Sequence, residues 1–155
     1  MTAKARDDAA RREAANYPLV LRTRILYSDV DAFRHVNNIA YSRWFEEGRA
    51  ANNIEVFGPD ALLDPQEGQQ LLLAASHVHY LDSASYPGEV VAATAVNRVG
   101  TSSYELWHAV FREDVCCAIG ESVMVKARHG RPEALTSAER EALEARTFAS
   151  RGAER

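Results

Sequence analysis

The sequence predicts an α+β domain, one antiparallel sheet laid over one long helix, and three observations predict it. Leu19, Leu21, Thr23, Ile25 and Tyr27 alternate with Val20, Arg22, Arg24 and Leu26, the period-two pattern of a strand with one buried face. A single long stretch of helical spacing follows, from Ile39 to about Phe57, and Gly58-Pro59 stops it. Four more strand-like runs come next, the last three separated only by breaks at Gly100 and Glu113-Asp114. Links that short join antiparallel strands, because a parallel crossover needs about a dozen residues or more.

The chain has 155 residues, enough for one hydrophobic core and too few for two. Apolar residues make up 46% and charged residues 26%, which excludes a disordered or collagen-like chain. Eighteen basic against 22 acidic residues leave a net charge of −4, without the basic footprint of a nucleic-acid binder. No apolar run approaches the roughly 18 residues of a membrane span, and the polar start carries no signal-peptide pattern. Cys116 and Cys117 are adjacent, so on a strand they point to opposite faces and a bond between them would be strained. These features predict a reduced, cytoplasmic protein.

In chain order, residues 1–16 hold no large apolar side chain except Met1 and predict a mobile tail or an exposed helix extension with no core face. The folded domain is expected over 17–150, with a second tail at 151–155. After the first strand, Ser28 to Asn38 is a polar loop. Asn37 or Asn38 then caps the long helix, whose Ile39, Tyr41, Trp44, Phe45, Gly48, Ala51, Asn52 and Ile54 predict deep burial. Ala61 to Gly68 reads as a connector. Strands are expected at Gln70–Leu81, Glu89–Val99 (opened by Pro87-Gly88), Thr101–Arg112 and Val115–Lys126. Thr136 and Glu139 form a capping box for a final short helix through about Ala149. One helix covers only one face of the resulting sheet of five strands. The other face and the edges stay bare, which predicts an oligomer.

Chemistry concentrates between Tyr27 and Glu46. Asp29, Asp31, His35, Asn37 and Asn38 all precede or open the long helix. A helix start has orphan N–H groups and a partial positive charge, so it can polarise a carbonyl oxygen. A carboxylate a few residues upstream can act as nucleophile or general base. The plainer reading is that these Asp and Asn residues only cap the helix and shape its turn.

The stretch Tyr27, Asp29, Asp31, His35, Val36, Asn37, Asn38, Tyr41, Trp44, Phe45, Glu46 resembles the signature of hotdog-fold acyl-CoA thioesterases of the 4-hydroxybenzoyl-CoA thioesterase type. The order of later elements fits the same family from about Tyr17 to Leu135. The resemblance implies a hotdog fold, with the sheet wrapped around the central helix, and hydrolysis of an acyl- or aroyl-CoA thioester. Asp31 matches the family's catalytic carboxylate and the Asn38 backbone N–H the group that polarises the thioester carbonyl. Glu46 matches a helix glutamate near the site in related branches and stands as the reserve catalytic residue. His35, Asn37 and Tyr41 match motif positions that shape the loop and the substrate site, and Asp29 a structural one. Arg34 departs from the pattern, which has Gly there, and bears on the loop or the acyl pocket. For coenzyme A, the turn holding Arg98, Thr101, Ser102 and Ser103 matches a nucleotide-binding segment at the subunit interface, and Arg131 adds a guanidinium suited to phosphate.

The other constellations have plain readings. His77 and His79 share a strand face but lack an evident third ligand, so no metal site is indicated. No charged activator accompanies the cysteines, and Trp44 and Trp107 read as packing residues. The expected function is thioester hydrolysis by a homodimer or homotetramer, with coenzyme A as part of the substrate and no separate cofactor. The alternatives are a hotdog protein that binds acyl-CoA without cleaving it, and a thioesterase acting on acyl-carrier protein.

Overall fold

The computed structural model describes residues 7–63 and 68–149. The expected C-terminal tail at 151–155 and the first six residues lie outside that range. The elements are β1 (Leu19–Arg24), α1 (Asn38–Phe57), a short α2 (Asp60–Leu63), β2 (Gln69–Tyr80), β3 (Glu89–Val99), β4 (Ser103–Arg112), β5 (Val115–Arg128), β6 (Arg131–Pro132) and α3 (Ser137–Glu144). The sheet is antiparallel in the order β1-β3-β4-β5-β2, with the two-residue β6 hairpinned onto β5. This is the expected sheet and helix, extended by one short sixth strand.

The helix lies on the concave face of the sheet. Its first half packs Ala40, Tyr41, Trp44 and Phe45 against Ile25, Val90, Val110 and Ala118. Its end packs Val56 and Phe57 beside Val96, Tyr104, Leu106 and Met124. Two glycines permit this close approach. A Cβ on Gly120 would sit 2.6 Å from the Phe45 ring, and one on Gly48 would sit 2.2 Å from Thr94 Oγ1. Asn37 rather than Asn38 is the N-cap, and Gly58 ends the helix with φ +83°. α3 opens with the expected box, Glu139 N–H donating to Thr136 Oγ1 at 3.2 Å and Thr136 N–H to Glu139 Oε2 at 2.7 Å.

Two expectations are corrected. The stretch before Tyr17 has a packed face after all: Ala9–Arg12 and Ala14–Asn16 form two 3-10 turns on the outer side of the sheet. Arg11 is buried there. It pairs with Glu121 at 2.6 Å, donates to the Gly120 carbonyl at 2.8 Å and lies 4.4 Å from the Trp107 ring centroid. A long guanidinium side chain can bury its stem and still satisfy its charge, so the lack of large apolar residues does not mean a lack of core. The outer sheet face is therefore not bare. Ala14, Tyr17 and Phe148 pack there on Ala93, Ala95, Ala109, Phe111 and Ile119. What stays open among the described residues is the outer edge of each end strand: on β1 Val20 is 45% exposed, and on β2 Leu72 and Leu73 are 43% and 47% exposed.

Candidate active site

The loop before α1 is built around the two aspartates. Asp29 is buried: its carboxylate accepts from Leu26 N–H at 2.8 Å and from Arg43 Nη2 at 2.7 Å, and its carbonyl accepts from Asn37 N–H at 2.8 Å. This anchors the loop to the helix, a structural duty. Asp31 is exposed at the mouth of a tight turn closed by the Val30–Val36 bridge. Its Oδ1 accepts from Phe33 N–H at 2.8 Å and from His35 N–H at 3.4 Å. Arg34 sits in this turn at φ +65°. That backbone region suits glycine and costs a side-chain-bearing residue about 1 kcal/mol or more, which explains why the family pattern carries Gly here.

The chain then turns into α1. Val36 N–H donates to the Ala84 carbonyl at 2.9 Å, tying the loop to the segment after β2. Asn37 Oδ1 accepts the N–H groups of Ile39 and Ala40 at 2.9 and 3.1 Å. That cap leaves the N–H of Asn38, the first helical residue, outside it. Asn38 and Tyr41 line a pocket of about 360 Å³ together with Val36, Tyr80, Leu81, Asp82 and Ser83. Burial pushes the Tyr41 hydroxyl up to about 12, so it remains protonated. Tyr80 stacks edge-on against Tyr41, with centroids 5.4 Å apart.

The predicted site residues thus fall into three groups. Asp31, Arg34, His35, Asn37, Asn38 and Tyr41 gather at the start of α1, although Asp31, Arg34 and His35 are exposed and do not line the pocket in a single chain. Glu46 stands about two turns further on, where it lines a separate hollow of about 170 Å³ with Arg49, Asn53, Leu71, Leu73 and Met124. Arg98 and Ser103 line a third hollow of about 320 Å³, with Thr101 and Ser102 in the turn between. The Thr101 and Ser102 carbonyls accept from Leu135 and Lys126 N–H groups. These residues and Arg131 lie near the far end of α1. A 20-residue helix is about 30 Å long, so within one chain the two ends do not meet. A further hollow of about 610 Å³, between β1 and α1, is lined by Arg22, Arg24, Arg43 and Trp44 among others and holds none of these residues.

Sequence reading missed the loop side of the first pocket, Tyr80, Leu81, Asp82 and Ser83, because only the fold brings the end of β2 to the start of α1. It also missed a polar chain under the helix. Thr94 Oγ1 lies 3.0 Å from His108 Nδ1, His108 Nε2 lies 3.1 Å from Ser122 Oγ, and Arg49 Nη1 donates to that hydroxyl at 3.2 Å. Burial, and then the nearby Arg49 and Arg11, lower His108 to about 3, so it is a neutral member of the core. Cys117 is buried, and burial raises the Cys116 thiol to about 11, so neither is an activated nucleophile. Among the described residues no group of three or more His, Cys, Asp or Glu side chains could hold a metal ion. No helix there is long and apolar enough to cross a membrane.

A curled antiparallel sheet wrapped around a long helix, with a pocket at the helix start, is the architecture of the hotdog-fold thioesterases. The chain belongs to the thioesterase-like superfamily, whose family model matches residues 25–143. Among solved structures it is similar to the PA5185 protein of Pseudomonas aeruginosa strain PAO1, at 26% identity and TM-score 0.78, covering 89% of this chain and 97% of that one. It is also similar to a thioesterase of Thermus thermophilus complexed with coenzyme A and zinc, at 28% identity and TM-score 0.75, covering 84% and 94%. The BH1999 gentisyl-coenzyme A thioesterase shares the fold at 19% identity and TM-score 0.71, over 81% of this chain and 99% of that one. No curated protein sequence matches the chain.

Proposed function

We propose that the protein hydrolyses an acyl- or aroyl-CoA thioester to the free acid and coenzyme A. The observation that carries this reading is the Asn38 N–H, left out of the Asn37 cap and placed on a pocket one short turn downstream of an exposed carboxylate. In the reaction, that N–H and the helix dipole take the charge that develops on the carbonyl oxygen. Asp31 either attacks the carbonyl carbon or activates water. The acyl–sulfur bond breaks, the sulfur leaves as the coenzyme A thiol, and water supplies the hydroxyl of the acid. These steps are served by the chain's own groups, without a separate cofactor.

The working unit in this reading is at least a homodimer. The coenzyme A residues Arg98, Thr101, Ser102, Ser103 and Arg131 belong to the opposite end of the molecule from Asp31 and Asn38. A second copy joined antiparallel along β2 brings its far end to the first copy's helix start. The similarity to a coenzyme A-bound thioesterase supports acyl-CoA as the substrate.

Asn38 tests the mechanism. Asn38→Ala keeps the backbone N–H and should retain activity within about tenfold. Asn38→Pro removes the donor at a position where helices accept proline, and should lower kcat by about a hundredfold, as removing one oxyanion donor does. Thiol release over short, long and aromatic acyl-CoA substrates is the readout. A folded Asn38→Pro protein with wild-type turnover overturns the proposed oxyanion site. A wild-type protein that binds these substrates without releasing thiol would be a binding protein instead.

A further inference from the structure

Among the described residues, the pocket that holds Asn38 has one carboxylate in its own wall, and it is not Asp31. Asp82 lines the pocket, while Asp31, Arg34 and His35 stay outside it on the exposed turn. The Asp82 side chain is held in place. Its backbone N–H and that of Leu81 donate to the Cys117 carbonyl at 3.1 and 2.8 Å, which ties the segment to β5. Its Oδ1 accepts Ser83 N–H at 2.7 Å. Its other carboxylate oxygen accepts no hydrogen bond, and no cation pairs with it, among the described residues. Val36, Leu81 and the rings of Tyr41 and Tyr80 make most of the remaining wall apolar.

The size of the pocket makes this charge matter. A compact space of about 360 Å³ is roughly 9 Å across, about one Debye length at physiological salt. An acyl group with its carbonyl on the Asn38 N–H therefore keeps every atom within reach of the Asp82 charge. That charge already acts on the Tyr41 hydroxyl, whose pKa burial chiefly raises and Asp82 raises further. A second carboxylate at roughly 6 Å in such a partly exposed site costs about tenfold in affinity. An apolar end meets the two tyrosine rings instead and incurs no such cost. A hydroxyl end finds an unused acceptor.

Resting on the thioesterase reading above, we propose that Asp82 sets the acyl specificity of this pocket: it rejects acyl groups that carry a carboxylate of their own and admits uncharged ones, including those that end in a hydrogen-bond donor.

Matched substrates test this, with a ratio of kcat/KM values as the readout. Glutaryl-CoA and hexanoyl-CoA are close in length and differ in the terminal charge, and 5-hydroxypentanoyl-CoA replaces that charge by a donor. Asp82→Asn keeps the acceptor for Ser83 N–H at an exposed position, so it should fold. It should raise the glutaryl-to-hexanoyl ratio about tenfold, and Asp82→Lys about a hundredfold, while the 5-hydroxypentanoyl-to-hexanoyl ratio falls or stays level. A merely structural role would lower all three rates together and leave the ratios alone. The pair 4-carboxybenzoyl-CoA and 4-methylbenzoyl-CoA makes the same comparison for aromatic acyl groups. A wild-type protein that takes the charged member of a pair as readily as the neutral one overturns the proposal. So do folded Asp82 variants with the wild-type ratio, or with no hydrolysis of either charged substrate; both results leave the thioesterase reading standing. A wild-type protein that releases thiol from none of the five substrates overturns that reading, and this proposal with it.

Discussion

Exchanging each of the paired aspartates for asparagine should separate stability from turnover. Asp29 is buried and meets one charged and one neutral donor, Arg43 Nη2 at 2.7 Å and Leu26 N–H at 2.8 Å. Asparagine keeps one acceptor and turns an amide NH₂ toward the other donor. A buried charge-assisted hydrogen bond is worth about 1.5–3 kcal/mol. The Arg43 side chain is 43% exposed, so water compensates it in part and the expected loss is about 2 kcal/mol. For a domain of this size that lowers Tm by about 4–8 °C. Asp31 is exposed, and its Oδ1 accepts only Phe33 and His35 N–H groups, which an asparagine Oδ1 accepts equally. Asp31→Asn should therefore stay within about 0.5 kcal/mol of wild type, while kcat falls about a hundredfold or more, roughly 3 kcal/mol of transition-state stabilisation. Thermal denaturation by circular dichroism and thiol release from acyl-CoA give the two readouts on the same samples. Near-wild-type turnover by Asp31→Asn refutes the assignment. A stable but inactive Asp29→Asn beside an active Asp31→Asn would exchange the two roles.

Two other predictions concern the loop and the core. Arg34→Gly relieves a side chain held at φ +65°; the gain, partly offset by the extra freedom of glycine in the unfolded chain, should be about 0.5 kcal/mol in urea unfolding, and a lower midpoint would contradict the left-handed turn. His108 is held neutral in the core, with its pKa lowered to about 3. The unfolded chain takes up its proton near pH 6.5, so His108's contribution is complete above that pH and is lost as pH falls from there toward 3. The loss should reach about 2 kcal/mol at pH 5 relative to pH 7, and His108→Gln should flatten this part of the stability profile; an unchanged profile would mean that His108 protonates in the folded protein.

Periodicity and punctuation carried most of the architecture: the alternation in β1, the Gly58 stop and the two-residue link at Glu113-Asp114 each report local backbone geometry. The region around Asp31 was legible because its residues lie within one continuous loop and helix start. What stayed hidden was non-local. Nothing near Asp82 in sequence says that it faces the start of α1, since the contact depends on where β2 ends. His108 reads as one more position in an alternating strand, and only the fold sets it between Thr94 and Ser122. Arg11 was misread for a related reason, because a charged side chain gives no periodic apolar signal even when it packs over Trp107.

The same geometry that leaves β2 open also separates the two halves of the candidate site. The hotdog arrangement lays α1 along the concave face, so its start and finish are held about 30 Å apart. No rotamer change within one chain brings Arg98 and Ser103 to Asn38. The antiparallel second copy proposed above would remove both shortcomings in one step, by pairing the free edge of β2 and by carrying the far end of one α1 to the start of the other. On this reading, the residues that hold the subunits together and those that bind coenzyme A depend on the same two-fold axis, and one displacement along β2 would disturb both.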